Sequence, residues 1–257
     1  MEITSYAPGT PCWIDLGAPD PAAAAAFYGT VFGWTSEEGP PEAGGYRMCL
    51  LRGVPVAGIG PRMNPDHPPF WATYIAVADA DATAARVTEL GGQVVAPPMD
   101  VLTAGRMAVC LDPAGAAFSL WQAGTTLGSG LANEPGAFTW NELLTDDLDG
   151  AKAFYGGLFG WTSETMTGEM PYTEFKLDGR SIAGMMPKPP TMPPGVPPMW
   201  GVYFAVEDAD ATVATITAAG GSLLMGPQDI EPGRFAVVAD PAGATFNVMK
   251  LKAELAS

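Results

Sequence analysis

One sequence pattern occurs twice in this chain, and this repeat limits the folds that the chain can adopt. Residues 9–37 read GTPCWIDLGAPDPAAAAAFYGTVFGWTSE, and residues 136–164 read GAFTWNELLTDDLDGAKAFYGGLFGWTSE. The two copies align without a gap, and 15 of the 29 positions are identical. Two later segments of each half match as well. Repetition of this kind indicates two copies of one structural unit set end to end.

The repeat predicts two domains, residues 1–122 and 135–257. The 257 residues suffice for two units that each bury a core. Residues 123–134 are rich in Gly, Ser and Thr and show no hydrophobic periodicity, so we interpret them as the linker.

Each half contains a strand–Asp–helix pattern twice. Residues 12–17 alternate as a strand does, and Asp20 then supplies a side-chain acceptor for the first free amides of a helix. The same pattern recurs at three later positions, Asp79, Asp147 and Asp208. Asp-Pro-Ala-Gly sequences at 112–115 and 240–243 are typical of hairpin turns. We therefore predict four β-α-β-β-β modules, two in each domain.

The pattern strand–Asp–helix–FY–x₃–FGW, followed by a terminal DP-x-G hairpin in each half, resembles the vicinal oxygen chelate superfamily. That superfamily contains glyoxalase I, extradiol dioxygenases, and bleomycin- and fosfomycin-resistance proteins. The resemblance extends from about Gly9 to Lys250 and is strongest to two-domain glyoxalase-like proteins of actinobacteria, some of which are named hydroxylases. It implies an α+β fold of two tandem domains, each with paired βαβββ modules forming a cup-shaped mixed sheet.

In metal-dependent members of the superfamily, His, Gln or Glu side chains on the floor of the cup hold a divalent ion. The corresponding positions of this chain carry Trp13 and Trp140, Ala72 and Gly201, and Ser119 and Asn247. Apart from a weak contribution by Ser119 or Asn247, none of these side chains is a competent ligand. The single histidine, His67, lies in a Pro-rich connector. We therefore expect that both domains have lost the metal site and that the protein uses no cofactor.

The carboxylates Asp15 and Glu142 are the candidate catalytic residues. Strand alternation places them on the same face as Trp13 and Trp140, so each cup would present an indole and a carboxyl group. Burial in an apolar cup would raise the carboxyl pKa, which suits a general acid or base. The carboxyl group could instead orient a ligand that stacks on the indole, or form a structural ion pair with Arg106 or Arg234.

The candidate ligand-binding residues are Trp13, Trp140, Tyr46, Tyr172, Ser119 and Asn247. Tyr46 and Tyr172 occupy corresponding positions in the two halves, each near the start of a strand that could line the cup. Their hydroxyl groups could donate to a ligand carbonyl. The alternative is that each ring packs in the core and exposes its oxygen at the rim.

The composition limits the classes of partner. A net charge of −16 and a pI near 4.2 argue against nucleic acid and anionic membranes, since both attract a surplus of Lys and Arg. Three sparse cysteines fit reduced thiols, and the N-terminal residues lack the basic and apolar regions of a secretory signal. We expect a cytoplasmic protein, either a monomer whose halves form an internal pseudo-dimer or a homodimer.

Two Pro-rich connectors, residues 61–70 and 187–199, join the modules within each half. Each is interpreted as a stiff crossover between half-sheets or, alternatively, as a lid over a pocket.

The favoured hypothesis is a metal-independent protein that binds a small apolar or aromatic ligand, in antibiotic resistance or secondary metabolism. The main alternative is a cofactor-free isomerase, lyase or hydroxylase-like enzyme that uses Asp15 or Glu142 for proton transfer. Two further alternatives are an interaction protein whose cups are vestigial and a metal-dependent glyoxalase or dioxygenase.

Overall fold

A computed structural model describes residues 1–168, 171–190, 192–193 and 195–252. The first half contains β1 (Pro11–Ala18), α1 (Pro21–Phe32), β2 (Thr35–Glu38), β3 (Arg47–Leu51), β4 (Val54–Pro61), β5 (Phe70–Ala76), α2 (Ala80–Glu89), β6 (Gln93–Val101), β7 (Gly105–Leu111) and β8 (Ala117–Ala123). The second half contains β9 (Phe138–Leu144), α3 (Leu148–Phe159), β10 (Thr162–Met166), β11 (Tyr172–Leu177), β12 (Arg180–Met186), β13 (Met199–Ala205), α4 (Ala209–Ala218), β14 (Ser222–Ile230), β15 (Gly233–Ala239) and β16 (Thr245–Leu251).

Each half forms one eight-stranded mixed sheet. The strand orders are β2-β3-β4-β1-β5-β8-β7-β6 and β10-β11-β12-β9-β13-β16-β15-β14. The first strands of the two modules, β1 with β5 and β9 with β13, pair antiparallel at the centre of each sheet. Each module therefore follows the β-α-β-β-β order, and the predicted α+β fold with paired modules is confirmed.

The helix starts follow from the predicted capping residues. The Asp20 carboxylate accepts hydrogen bonds from the amides of Ala22 and Ala23 at 3.0 Å. The three other capping aspartates, Asp79, Asp147 and Asp208, each accept one such bond. Gly33 and Gly160 end α1 and α3 in the left-handed conformation, which glycine adopts without steric cost.

The hydrophobic interior lies between the two sheets and is shared by them. One core joins the first module to the fourth: Tyr28 and Phe32 of α1 pack with Phe204 and Phe246 of the second sheet. The other core joins the second module to the third, and there Phe118 of β8 packs against α3. The aromatic residues of the repeated motif, expected to be core, thus hold the two halves together.

Two pseudo-symmetric chains of buried hydrogen bonds cross between the halves. The Trp71 indole donates to the Tyr28 hydroxyl at 3.0 Å, and that hydroxyl donates to Asp240 at 3.1 Å. The equivalent chain runs from Trp200 through Tyr155 to Asp112, at 2.9 and 3.1 Å. The aspartates of the Asp-Pro-Ala-Gly turns therefore connect the two halves as well as closing hairpins.

The FGW tryptophans add a second reciprocal link. The indole of Trp34 donates to the carbonyl of Gly136 at 2.6 Å, and the indole of Trp161 donates to the carbonyl of Gly9 at 2.7 Å. Each bond joins one copy of the repeat to the first residues of the other copy.

The segment between the domains is packed against the first sheet. The Ser129 amide donates to the Cys12 carbonyl at 2.8 Å, and the Gly130 amide donates to the Pro55 carbonyl at 2.7 Å. Leu131 is only 1% exposed. A segment with these contacts is packed against β1 and β4.

Each Pro-rich connector carries the chain past the central strand of its sheet. The first joins β4 to β5, and the second joins β12 to β13. This path is the one that the crossover interpretation expects, while the lid interpretation stays a prediction. Thr191 and Pro194 of the second connector lie outside the described residues. No helix in the described ranges is long and apolar enough to span a membrane.

Candidate functional site

Two rows of side chains cross the cup face of each sheet, meaning the face that carries Trp13 or Trp140. In the first cup, Trp13 lies opposite Tyr74 on β5, and Tyr74 lies beside Ser119 on β8. The second cup has the same row, formed by Trp140, Tyr203 and Asn247.

The second row contains the carboxylates. Asp15 lies between Gly58 of β4 and Ala72 of β5, and Glu142 lies between Gly184 and Gly201. Because successive side chains of a strand alternate between its faces, Trp13 and Asp15 share one face, as predicted. The residues beside each carboxylate are small, and this leaves room for the tyrosine rings that approach it.

In the first cup, Trp13, Asp15, Tyr46 and Tyr74 form a hydrogen-bonded group that we call the first tetrad. The Tyr74 hydroxyl donates to Asp15 Oδ2 at 2.9 Å, and the Trp13 indole donates to the Tyr46 hydroxyl at 3.2 Å. The Tyr46 hydroxyl lies close enough to Asp15 to lower the pKa of that carboxyl group. The carboxyl group therefore accepts a hydrogen bond from one phenol and lies beside a second.

The second cup repeats this arrangement with Trp140, Glu142, Tyr172 and Tyr203, the second tetrad. The Tyr203 hydroxyl donates to Glu142 Oε1 at 2.8 Å, and the Trp140 indole donates to the Tyr172 hydroxyl at 2.9 Å. The hydroxyl of Tyr172 lies close enough to Glu142 to lower the pKa of that carboxyl group. The tetrads keep the same chemistry although one carboxylate is Asp and the other is Glu.

Two glycines make room for the tyrosine hydroxyls. A β-carbon at Gly58 would overlap the Tyr46 hydroxyl, and one at Gly184 would overlap that of Tyr172. Neither glycine has a positive φ angle, so the close approach of a side chain explains them here.

Burial changes the protonation of both carboxyl groups. Desolvation raises the pKa of Asp15 to about 6, although the hydrogen bonds from Tyr74 and Tyr46 act in the opposite direction. Burial likewise raises the pKa of Glu142, against the bonds from Tyr203 and Tyr172. The pKa values of the four tyrosines are raised by burial and the adjacent carboxylate, so the phenols stay neutral near pH 7.

The proposed ion pairs between these carboxylates and arginine are wrong. Arg106 pairs with Asp81 at 2.7 Å and with Asp100 at 2.9 Å, on the exposed surface. Arg234 pairs in the same way with Asp210 and Asp229. Both arginines bridge an edge hairpin to the first turn of a helix, so they are not available to the cups.

The positions that hold metal ligands in the superfamily do not offer a donor set here. Trp13 and Ser119 occupy the first row, and Ala72 lies in the second row beside Asp15. Asn247 uses its amide nitrogen to donate to the Val202 carbonyl at 3.2 Å. Within the part of the chain that the structure describes, no group of three His, Cys, Asp or Glu side chains could hold a metal ion. These residues do not fit a divalent ion.

Sequence reasoning missed Tyr74 and Tyr203, which are only 6% exposed and complete the tetrads. A usable signal was present, since both lie two residues after the mapped positions Ala72 and Gly201 and so share their face. Hydrophobic side chains pack against these residues: Cys12, Trp121 and Met107 in the first half, and Phe235, Met249 and Leu251 in the second.

Comparisons with known proteins agree with this architecture. The family model described as "Glyoxalase/Bleomycin resistance protein/Dioxygenase superfamily" matches residues 12–120 and 137–248. A provisionally named glyoxylase of Mycobacterium tuberculosis, CFP32, is 47% identical over 96% of this chain and 97% of its own length. The anthracycline biosynthesis protein DnrV of Streptomyces peucetius is 40% identical over 97% of this chain and 96% of its own length.

Solved structures share the fold at low identity. The Mn(II)-bound glyoxalase of Novosphingobium aromaticivorans has a TM-score of 0.67 at 17% identity, covering 95% of this chain and 83% of that one. The 2,2',3-trihydroxybiphenyl 1,2-dioxygenase of Sphingomonas wittichii has a TM-score of 0.66 at 14% identity, and the alignment covers 95% of this chain and 91% of that one. The family match over both halves and the 47% identical relative show that the chain belongs to the glyoxalase/bleomycin resistance protein/dioxygenase superfamily.

Proposed function

We propose that the protein binds small aromatic molecules in its two cups without a metal ion. The observation that supports this proposal is the tetrad, which gathers an indole, two phenols and a carboxyl group on one face of each sheet. Indole and phenol rings stack on planar ligands, and a carboxylate among them orients a hydroxyl or amine.

The named relatives support an aromatic ligand. Two of them are called anthracycline biosynthesis proteins, and anthracyclines are planar polycyclic molecules. We propose that the chain acts as a monomer, since its two halves already bury their repeated aromatic faces against each other.

Calorimetry with a panel of polycyclic phenols and quinones tests the binding proposal. We expect equal affinities in protein treated with chelator and in protein supplied with Mn²⁺ or Zn²⁺. Replacing Trp140 with leucine is expected to weaken binding in the second cup about tenfold, because the stacking surface is lost. Leu127→Ala, at an exposed position outside the cups, is the matched control. Absence of heat with every compound, or binding only with added metal, would contradict the proposal.

A second candidate function is proton transfer, and the raised pKa values favour it. A carboxyl group with a pKa near 6 exchanges its proton readily near neutral pH. Asp15 or Glu142 could remove a proton from a carbon beside a ligand carbonyl and return it at another carbon. Such an isomerisation conserves all atoms and electrons and needs no oxidant.

The variants Asp15→Asn and Glu142→Gln separate catalysis from binding. If the protein is an isomerase, the combined variant should retain neutral ligands from the panel yet lose about 10²- to 10⁴-fold in turnover, followed by mass spectrometry and NMR of the products. The wild-type rate should depend on a group that titrates near pH 6. Equal turnover by the wild-type protein and the variant would exclude this function.

A further inference from the structure

Arg62, which directly follows β4, is a partly buried cation without a carboxylate partner. Among the described residues, every other partly buried lysine or arginine forms a salt bridge, whereas Arg62 forms none. The chain has 28 acidic and only 12 basic side chains, so carboxylates are plentiful. The missing partner of Arg62 therefore calls for an explanation.

The guanidinium group of Arg62 is also incompletely hydrogen-bonded. Its Nη1 donates to the His67 carbonyl at 2.7 Å. Its Nε is the one buried side-chain nitrogen or oxygen of the described residues that has no hydrogen-bond partner. Such atoms are rare in folded proteins, and an absent bound group is one of the usual reasons for them. Nε and Nη2 form the edge that pairs side by side with a carboxylate.

The second half contains an equivalent cation, Lys188. Arg62 and Lys188 end the aligned sequences VAGIGPR and IAGMMPK. The Lys188 Nζ donates to the Val196 carbonyl at 3.1 Å, as Arg62 donates to the His67 carbonyl. Val196 lies three residues before β13 and His67 three residues before β5, so the two hydrogen bonds correspond. Both cations therefore occupy the same place in the repeated fold.

A carboxylate completes the cation in the second half only. Lys188 Nζ lies 2.9 Å from Asp146 Oδ2. The repeat aligns Asp146 with Pro19, whose side chain offers no acceptor. The first half thus keeps the cation and lacks the anion, and the second half shows which chemical group fits beside it.

An exposed aromatic ring adjoins Arg62. A β-carbon at Gly17 would lie 3.7 Å from the Arg62 Cα and 3.8 Å from its Cγ, so the stem of Arg62 passes over Gly17. Phe70 lies opposite Gly17 on β5 and is 42% exposed. Residues paired across neighbouring strands share one face of the sheet, so the Phe70 ring and the Arg62 stem flank the same point. A ligand can contact both from solvent.

We propose that Arg62 binds the carboxylate of an aromatic small molecule whose ring packs on Phe70. The carboxylate takes the place that Asp146 has beside Lys188, and a small outward rotation of the Arg62 side chain brings its Nε–Nη2 edge to the ligand. A surface ion pair is weak and the net charge of −16 opposes anions, so we expect a dissociation constant of about 1 mM. The site lies outside the tetrads, and the inference does not rest on the proposed function.

NMR of the arginine Nε–Hε groups in the full-length protein tests this site. At about pH 6 these protons are visible and benzoate is ionised. The probes are benzoate, its neutral isostere benzamide, and inorganic phosphate, which lacks the ring. Benzoate is expected to shift the Arg62 signal to saturation, and the other two probes should bind about tenfold more weakly.

Substitutions based on the repeat identify the partner. Pro19→Asp gives the first half the carboxylate that the second half has, and it should weaken benzoate binding about tenfold. Pro19→Asn lacks the charge and should leave binding unchanged. Arg62→Gln should abolish the benzoate-induced shift of the Phe70 amide. Arg180→Gln removes an exposed cation that has no salt bridge within the described residues, and this matched control should bind benzoate as the wild type does.

Several results would overturn the inference. If the Arg62 signal does not move with benzoate, or if benzamide binds as tightly, there is no carboxylate site. If phosphate binds as tightly as benzoate, the site recognises charge alone and the assigned ligand class is wrong. If Arg180→Gln weakens binding as much as Arg62→Gln, the overall charge of the protein is responsible. Circular dichroism checks that every variant is folded.

Discussion

Replacing Tyr28 with alanine is expected to destabilise the folded protein by about 4 kcal/mol and to unfold both halves in one transition. The Tyr28 side chain is fully buried and packs against Trp34 and Trp71 of the first half and Phe246 of the second. Its removal leaves a cavity in a core that both sheets share. It also leaves Asp240 without the hydroxyl that donates to it at 3.1 Å.

Chemical denaturation monitored by both circular dichroism and tryptophan fluorescence measures this effect. Tyr28→Phe keeps the ring and loses only the hydrogen bonds, so it should cost about 1–2 kcal/mol. Tyr155→Ala removes the equivalent ring from the other shared core and should match Tyr28→Ala. Two separate transitions, one for each half, would show that the halves are stable independently and that the shared cores contribute little.

Replacing Asp15 with asparagine is expected to stabilise the protein at pH 7.5 by about 2 kcal/mol, the opposite of most buried substitutions. Burial raises the pKa of Asp15 from 3.8 to about 6, so the folded state holds this proton more tightly than the unfolded chain. The resulting stabilisation is complete below pH 4 and is lost as the pH rises through 6. Asparagine has no charge to bury, and water reaching the half-buried group limits the gain.

The free energy of unfolding of the wild-type protein and of Asp15→Asn, measured from pH 4 to pH 7.5, shows whether the substitution stabilises or destabilises the fold. The free energy of unfolding of the variant should equal that of the wild type near pH 4, and the excess of the variant should grow until about pH 7. The groups that face Asp15, Tyr46 and Tyr74, stay neutral throughout this range. Asp149→Asn, at an exposed position, should show no such growth. A less stable Asp15→Asn at pH 7.5 would mean that the carboxylate serves the fold.

A carboxylate that reduces stability is informative about function. Proteins keep strained or uncompensated groups mainly where binding or catalysis needs them.

The local parts of the fold were predictable because their causes are local. Asp20 caps its helix through amides two and three residues away, and Gly33 ends the same helix by its own backbone freedom. Alternation along β1 likewise placed Trp13 and Asp15 on one face. The family resemblance then supplied the pairing of the modules, which no single segment encodes.

The site was predictable only in part, because its partners come from different strands. The sequence indicated Tyr46 as a neighbour of the cup through its repeat at Tyr172, and the structure brings both into the tetrads. It did not indicate Tyr74, whose role depends on the register of β5 against β1. It suggested Arg106 as a partner for Asp15, but Arg106 lies in an edge hairpin and reaches α2 instead.

By itself, the sequence determined the repeated module, the helix caps and the turns, since these depend on neighbouring residues and on side-chain type. The tertiary structure alone decided that the aromatic motif holds the two halves together and that tyrosine hydroxyls, and not arginines, lie beside each carboxyl group. Both outcomes depend on contacts between residues far apart in the chain, whose geometry is set only when the strands pair and the sheets pack.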